Sequence, residues 1–388
     1  MSTPPTTTEP PPPPAEALGR RRPRLDGVDL ARGLAIVGMV TVHVLPGLAG
    51  GVEGPYGWAY GRASTLFALV AGVGIALSAA RRPPGQVRAR LLYRAAWLAP
   101  LGIWMQTLDH PVAVILHYYA LWFLLTALVV TWSDRALLTL TGVGLLVGPT
   151  LLVAAQVLRP AWYDPPGSGA VLGAFGDVLL TGYYPSVSWW WLVLAGVLLG
   201  RRDLRRPPTM AGLLGGGTVV GVATYVGARS VVDVVDLGRW QPLLSVEGHA
   251  DTTLETLAAG AVATAVLGAC LLVGHLLPRR LVHPGVAFGR LALTVYVGHV
   301  LLYAAIPPLL RSATVAEGTR TTLWLTVVST VFAVAWLAWR PRGPLEGLEH
   351  WVFDRAVLPL STGEPARGRA PTQDTGAPSI PGGDREAP

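Results

Sequence analysis

The sequence predicts an all-α protein, a polytopic bundle of about ten transmembrane helices with both termini in the cytoplasm. Three observations predict it. Apolar residues make up 51% of the 388 positions and glycine adds a further 46 residues, whereas soluble domains have about 45–50% for the two together. Charged residues are only 14%, against roughly 25% in a soluble average, too few to cover a soluble surface. Apolar runs long enough to cross ~30 Å of hydrocarbon recur along the chain.

Residues 1–23 are rich in Pro and Thr and hold no apolar segment, so they read as a disordered cytoplasmic tail and not as a secretory signal. The membrane domain is expected over 24–355, with spans near 28–49, 60–80, 91–108, 111–131, 136–157, 185–200, 210–231, 253–277, 285–309 and 321–339. Residues 356–388, rich in Pro, Gly and charge, read as a second cytoplasmic tail. Small-residue pairs such as Gly196/Gly200 and Gly217/Gly221 suit close helix contacts.

The net charge of +7 is carried by arginine alone, because the chain has no lysine. Arg20–Arg24 precede the first span, and Arg81, Arg82, Arg88 and Arg90 follow the second. Arg201–Arg206 follow the sixth, Arg279 and Arg280 the eighth, Arg340 and Arg342 the tenth. All fall on one face if the spans alternate, which makes that face cytoplasmic and the location the plasma membrane. Charge distributed this way orients spans and builds no groove for nucleic acid. The single cysteine, Cys270, excludes a disulfide framework and a cysteine-based zinc site, and no metal is expected.

Ionisable groups inside spans are costly and usually face the bundle interior. His43 lies roughly 15 Å beyond Gly33, His299 roughly 21 Å into the ninth span, and His117 roughly 9 Å below the outer end of the fourth. Three imidazoles thus share the middle-to-outer depth, as general-base candidates or as hydrogen-bonded interhelical residues. At the inner end, Asp29 and Arg32 stand at i,i+3 and Asp26 is placed to cap the helix. Arg32, Arg94 and Arg290 are candidate holders of an anionic cofactor's phosphates, the alternative being structural pairing. On the outer side Arg62 and Ser64 open the second span, Glu53 is the carboxylate of the first loop, and Glu247, His249, Asp251 and Glu255 form the densest ionisable group. Asp109-His110 reads as turn chemistry.

The run from Arg24 to Met39, Arg-Leu-Asp-Gly-Val-Asp-Leu-Ala-Arg-Gly-Leu-Ala-Ile-Val-Gly-Met, followed by His43, resembles the opening of the heparan-alpha-glucosaminide N-acetyltransferase family and of the related YeiB-type bacterial membrane proteins. Residues Gly61–Gly74, Thr181–Pro185, Gly289–His299 and Gly343–Glu346 extend the likeness over about 24–350. The resemblance implies a ten- or eleven-span bundle taking an acyl group, an acetyl group above all, from cytoplasmic acyl-CoA to an acceptor beyond the membrane. His43 stands where the eukaryotic enzymes carry Asn. Their functional histidine in the following loop is absent, since Val44–Trp58 holds no His and only Glu53 as a proton acceptor.

The function expected is therefore an integral-membrane acyltransferase. His43, His299, Tyr296 and Glu53 are the catalytic candidates, Arg32, Arg290 and Asp29 hold acyl-CoA, and Arg62, Ser64, Glu247, His249 and Asp251 face the acceptor. Tyr296 or Ser64 would donate to the developing oxyanion. The expected partners are the bilayer, acyl-CoA and a cell-envelope sugar or lipid, with a homodimer left open. The alternative is a transporter or flippase for an envelope precursor or small metabolite, its outward histidines and carboxylates forming a relay.

Overall fold

A computed structural model describes residues 24–45, 56–158, 176–310, 312 and 314–357. Glu53 and both expected tails, except residues 356 and 357 of the second, lie outside the described residues. Twelve α-helices and no strand are present among those described. They are α1 Asp26–Val44, α2 Arg62–Ala79, α3 Pro84–Gln106, α4 Leu116–Val129, α5 Asp134–Leu158 and α6 Ser186–Gly200. There follow α7 Pro207–Val232, α8 Thr253–Leu276, α9 Arg279–Arg290, α10 Ala292–Ala305, α11 Val315–Trp339 and α12 Pro344–Val352.

Each expected span falls on a helix, but not with the expected uniformity. Six helices (α1, α2 with its preceding turn, α5, α7, α8 and α11) are long and apolar enough to cross a membrane alone. The fourth and sixth expected spans are short helices, α4 and α6. The ninth is broken: α9 and α10 meet at 64° and pass the same test only as a pair. Leu291, at the break, leaves helical geometry with φ −99° and ψ 29°. His299 therefore stands on the second of two half-length helices, seven residues past Ala292, and not deep inside one continuous span.

Helix starts follow local chemistry. Proline occupies the first turn of α3, α7 and α12, where its missing N–H costs nothing. Thr252 caps α8 by accepting from the N–H of Glu255 at 2.9 Å. Asp26 does not cap α1: Leu25 holds that position without a side-chain bond, and Asp26 pairs with Arg279 at 3.5 Å instead.

Helix α1 is the hub and packs on α2, α8, α9 and α11. Around it α2 lies on α6, α3 on α4, α5 on α6, and α7 antiparallel to α8. The expected glycine contacts are present. Gly196 lies directly on the Leu69 carbonyl of α2, Gly72 on the Val193 carbonyl of α6, and Gly217 on the α8 backbone at Ala261 and Ala265. A β-carbon at any of them would push the helices apart. Tryptophans tie the short helices in: Trp122 of α4 donates to Ser186 at 3.0 Å and Trp190 of α6 to Thr126 at 3.0 Å. Helices α7 and α11 form the rim, with only 17% of their apolar windows buried.

Candidate active site

The arginines that flank the spans converge at one end of the bundle. Arg24, Arg32, Arg81, Arg82, Arg90, Arg94 and Arg290 line a single cavity of about 530 Å³, with Asp29, Glu346 and Glu349 as its carboxylates. Seven cations face three anions there. Arg24 and Arg32 share the buried Asp29 carboxylate, at 2.7 and 2.5 Å. Arg94 and Glu349 form a forked pair at 2.8 and 3.2 Å. Arg290 donates to the Pro341 carbonyl, Arg82 to Ser78, and Arg90 lies over the Phe353 ring. No carboxylate lies within ion-pair distance of Arg81, Arg82, Arg90 or Arg290 among the described residues.

Helix α12 returns across this end after the last span. Glu346 accepts from the N–H groups of Leu293 and Thr294 (2.8 and 3.1 Å) and from the Thr294 hydroxyl (2.6 Å), so it caps the start of α10. The Glu349 carboxyl is held low: burial alone would raise it, but the Arg94 charge outweighs that and keeps it ionised.

The inner wall of the cavity is aromatic, formed by Phe67, Tyr119, Phe123 and Tyr296. The Tyr296 hydroxyl oxygen accepts the Ile115 N–H at 3.1 Å, which fixes the ring. The Tyr119 hydroxyl is buried with no partner among the described residues. Behind Tyr296 stand the two histidines. The ring of Tyr296 meets His299 edge-on with centroids 5.1 Å apart, and His299 and His43 lie edge to edge, centroids 5.4 Å apart and planes 7° from parallel. His43 Nδ1 and His299 Nε2 are 3.2 Å apart, and His299 Nδ1 lies 3.2 Å from the Val295 carbonyl. Tyr303 closes the pair edge-on to both.

His43 and His299, on spans far apart in sequence, thus meet in the fold. His117 does not join them; its ring contacts Tyr118 and its Nδ1 is buried without a partner. His110 lies in the turn between α3 and α4. It is locked in its turn by Met105 O and the Val112 N–H.

The acceptor candidates gather at the opposite end, about 26 Å away along α2. Arg62 reaches the carbonyls of Tyr60 and Val246, at 3.2 and 3.4 Å. The buried Ser64 hydroxyl is engaged by Gly61 O at 2.9 Å, away from any oxyanion role. Glu247 is exposed. His249 is ringed by Tyr60, Tyr183, Tyr184 and Trp189 at 4.4–5.4 Å. Asp251 accepts the Trp189 indole N–H at 2.7 Å. Both His249 and Asp251 have positive φ, 61° and 53°, a strained geometry for residues other than glycine. Burial pushes the Asp251 carboxyl up to about 7 against the indole hydrogen bond, and pushes His249 down to about 4.

Sequence reasoning did not single out Arg81, Arg82, Arg90, Glu346, Glu349 or Tyr119 as site residues. The three arginines served only as topology signals, although their position at one end already placed them beside Arg32.

Two family models match the chain. A family model described as heparan-alpha-glucosaminide N-acetyltransferase, catalytic, matches residues 24–232, and one described as a protein of unknown function (DUF418) matches 202–355. No curated protein matches the chain. His43 lies within the first match and His299 within the second. With more than half of its length under the first of these models and the rest of the membrane part under the other, the chain belongs to the heparan-alpha-glucosaminide N-acetyltransferase-like, YeiB-type family of membrane proteins.

Proposed function

We propose that the protein is an integral-membrane acyltransferase that takes an acetyl or other short acyl group from acyl-CoA to a cell-envelope sugar or lipid across the plasma membrane. The observation that carries this reading is the cavity itself. An excess of four positive charges surrounds its mouth, and its aromatic inner wall ends on Tyr296, which touches His299.

In this reading the arginine-rich end faces the cytoplasm. Arg81, Arg82, Arg90 and Arg290 take the phosphates, since Arg32 and Arg94 are already matched by Asp29 and Glu349. Asp29 then supports Arg32 and does not itself touch the cofactor. The acyl arm runs along Phe67 and Tyr119 towards Tyr296. One imidazole takes a proton from the acceptor hydroxyl or amine, and the hydroxyl hydrogen of Tyr296, whose oxygen already accepts from Ile115, is available to the thioester oxygen. His249, Asp251 and Arg62 line the acceptor's approach. Enclosure by the bundle limits hydrolysis of the thioester.

The bend between α9 and α10 favours one other reading, a transporter, because discontinuous helices mark substrate sites in transporters. Calorimetric titration of the purified protein with acetyl-CoA, against free CoA, separates the two. Binding that is weakened in Arg290→Ala and further in Arg81→Ala/Arg82→Ala supports the transferase. A folded sample that binds neither ligand sinks it and leaves the transporter.

A further inference from the structure

The two imidazoles are not equivalent, and their hydrogen bonds decide which is the base. His299 Nδ1 lies 3.2 Å from the Val295 carbonyl, and the Tyr296 backbone also bonds to this ring as an acceptor. A carbonyl oxygen accepts and never donates, so Nδ1 of His299 carries the proton. A neutral His299 then presents a lone pair at Nε2. That lone pair faces His43 Nδ1 at 3.2 Å, so His43 Nδ1 carries its own proton and donates it. The rings lie 7° from parallel with centroids 5.4 Å apart, edge to edge in nearly one plane, which is the geometry an N–H···N bond needs. One ring nitrogen has no bond among the described residues: Nε2 of His43, which carries the lone pair.

We infer that His43 is the catalytic base, acting through Nε2, and that His299 is a positioning residue that holds His43 in the Nδ1–H tautomer and shares the charge His43 gains. This assignment rests on the acyltransferase reading and divides the roles within it. In the step it implies, the acceptor's O–H or N–H proton passes to His43 Nε2 while the acceptor atom bonds to the acyl carbon. The C–S bond breaks, its electron pair leaves with the CoA thiolate, and the imidazolium proton then neutralises that thiolate. As His43 becomes positive, its Nδ1–H bond to His299 Nε2 strengthens, and the Val295 carbonyl steadies the far end.

The test uses the full chain in lipid nanodiscs with ¹⁵N-labelled histidine, each resonance assigned by its loss in His43→Gln and His299→Gln. Both residues are expected to show a protonated Nδ1 and an unprotonated Nε2. In His299→Gln the side-chain carbonyl takes over the bond from His43 Nδ1–H, and the His43 pattern persists. In His299→Leu it is lost. Diethyl pyrocarbonate, read out by mass spectrometry on the wild type, should modify His43 at least tenfold faster than His299. For thiol release from acetyl-CoA, His43→Gln should lose about 100-fold in kcat with little change in KM, while His299→Gln keeps activity within about tenfold. A wild-type His43 protonated at Nε2, or faster modification of His299, overturns the assignment even if His299→Leu does not fold. Acetyl-CoA binding with the wrong tautomer refutes this assignment alone. The expected tautomers without any acetyl-CoA binding refute the transferase, and the base role with it.

Discussion

Replacing Tyr119 by Phe should raise the melting temperature of the ligand-free protein, against the usual sign for a core substitution. The Tyr119 ring is 4% exposed and packs against Phe67, Trp122 and Phe123 at 4.9–5.6 Å, contacts that a phenylalanine ring reproduces. Only the hydroxyl changes, and it is buried without a hydrogen-bond partner. A buried polar group left unpaired costs about 1–3 kcal/mol, and that penalty disappears with the oxygen. With an unfolding entropy near 2.1 cal/mol/K per residue over 388 residues, this becomes a rise of about 1–4 °C. The assay is a thermal melt in detergent, with and without saturating acetyl-CoA. If the cavity holds acyl-CoA against this wall, the ligand-induced rise should shrink in the variant, because the hydroxyl finds its partner only on binding. A melting temperature lowered by a similar amount in the absence of ligand would show that the hydroxyl is already paired, and the reasoning would fail.

Four further outcomes follow from the same geometry. Removing one unpaired arginine, as in Arg290→Ala, should weaken acetyl-CoA about tenfold and flatten the salt dependence of binding, measured by calorimetry between low and high ionic strength. Asp251 titrates near 7 when folded but near 3.8 when unfolded, so the folded state holds the proton longer. Stability due to this group is therefore full below about pH 4, falls as pH rises towards 7, and then levels off; Asp251→Asn should reduce the slope of melts taken across pH 4–8. Gly72→Val places a side chain against the Val193 carbonyl and should cost about 1–3 kcal/mol or abolish the folded yield. Gly142→Ala, with nothing within 4 Å, should gain about 0.5–1 kcal/mol in the same melts.

Much of the bundle was legible because membrane residence is written in composition and period-free apolar runs, which need no long-range information. His43 and His299 were legible for a related reason: an imidazole inside hydrocarbon stands out on its own span, and their similar depths left few places to meet. Their relative rotation was not legible, so depth alone did not separate His117 from them. The broken ninth span was hidden because its apolar run continues past Arg290, while the bend is stabilised by Glu346, 55 residues beyond Leu291. Arg81 and Arg82 carried a topology signal strong enough to account for them, so their convergence with Arg24 and Arg290 needed the fold. Ser64 looked like a donor in sequence, but a hydroxyl in the first turn of a helix finds the carbonyl three residues back before it finds a substrate.

The Glu346 cap has a consequence for where this protein may be cut. A chain stopped after Trp339 would keep every membrane-crossing helix, and hydropathy alone would pass it as complete. It would nevertheless leave the Leu293 and Thr294 amides uncapped and strip Arg94 of its counter-ion, at the base of the helix that carries His299. The working unit therefore extends beyond the last span, at least through Glu349 of α12.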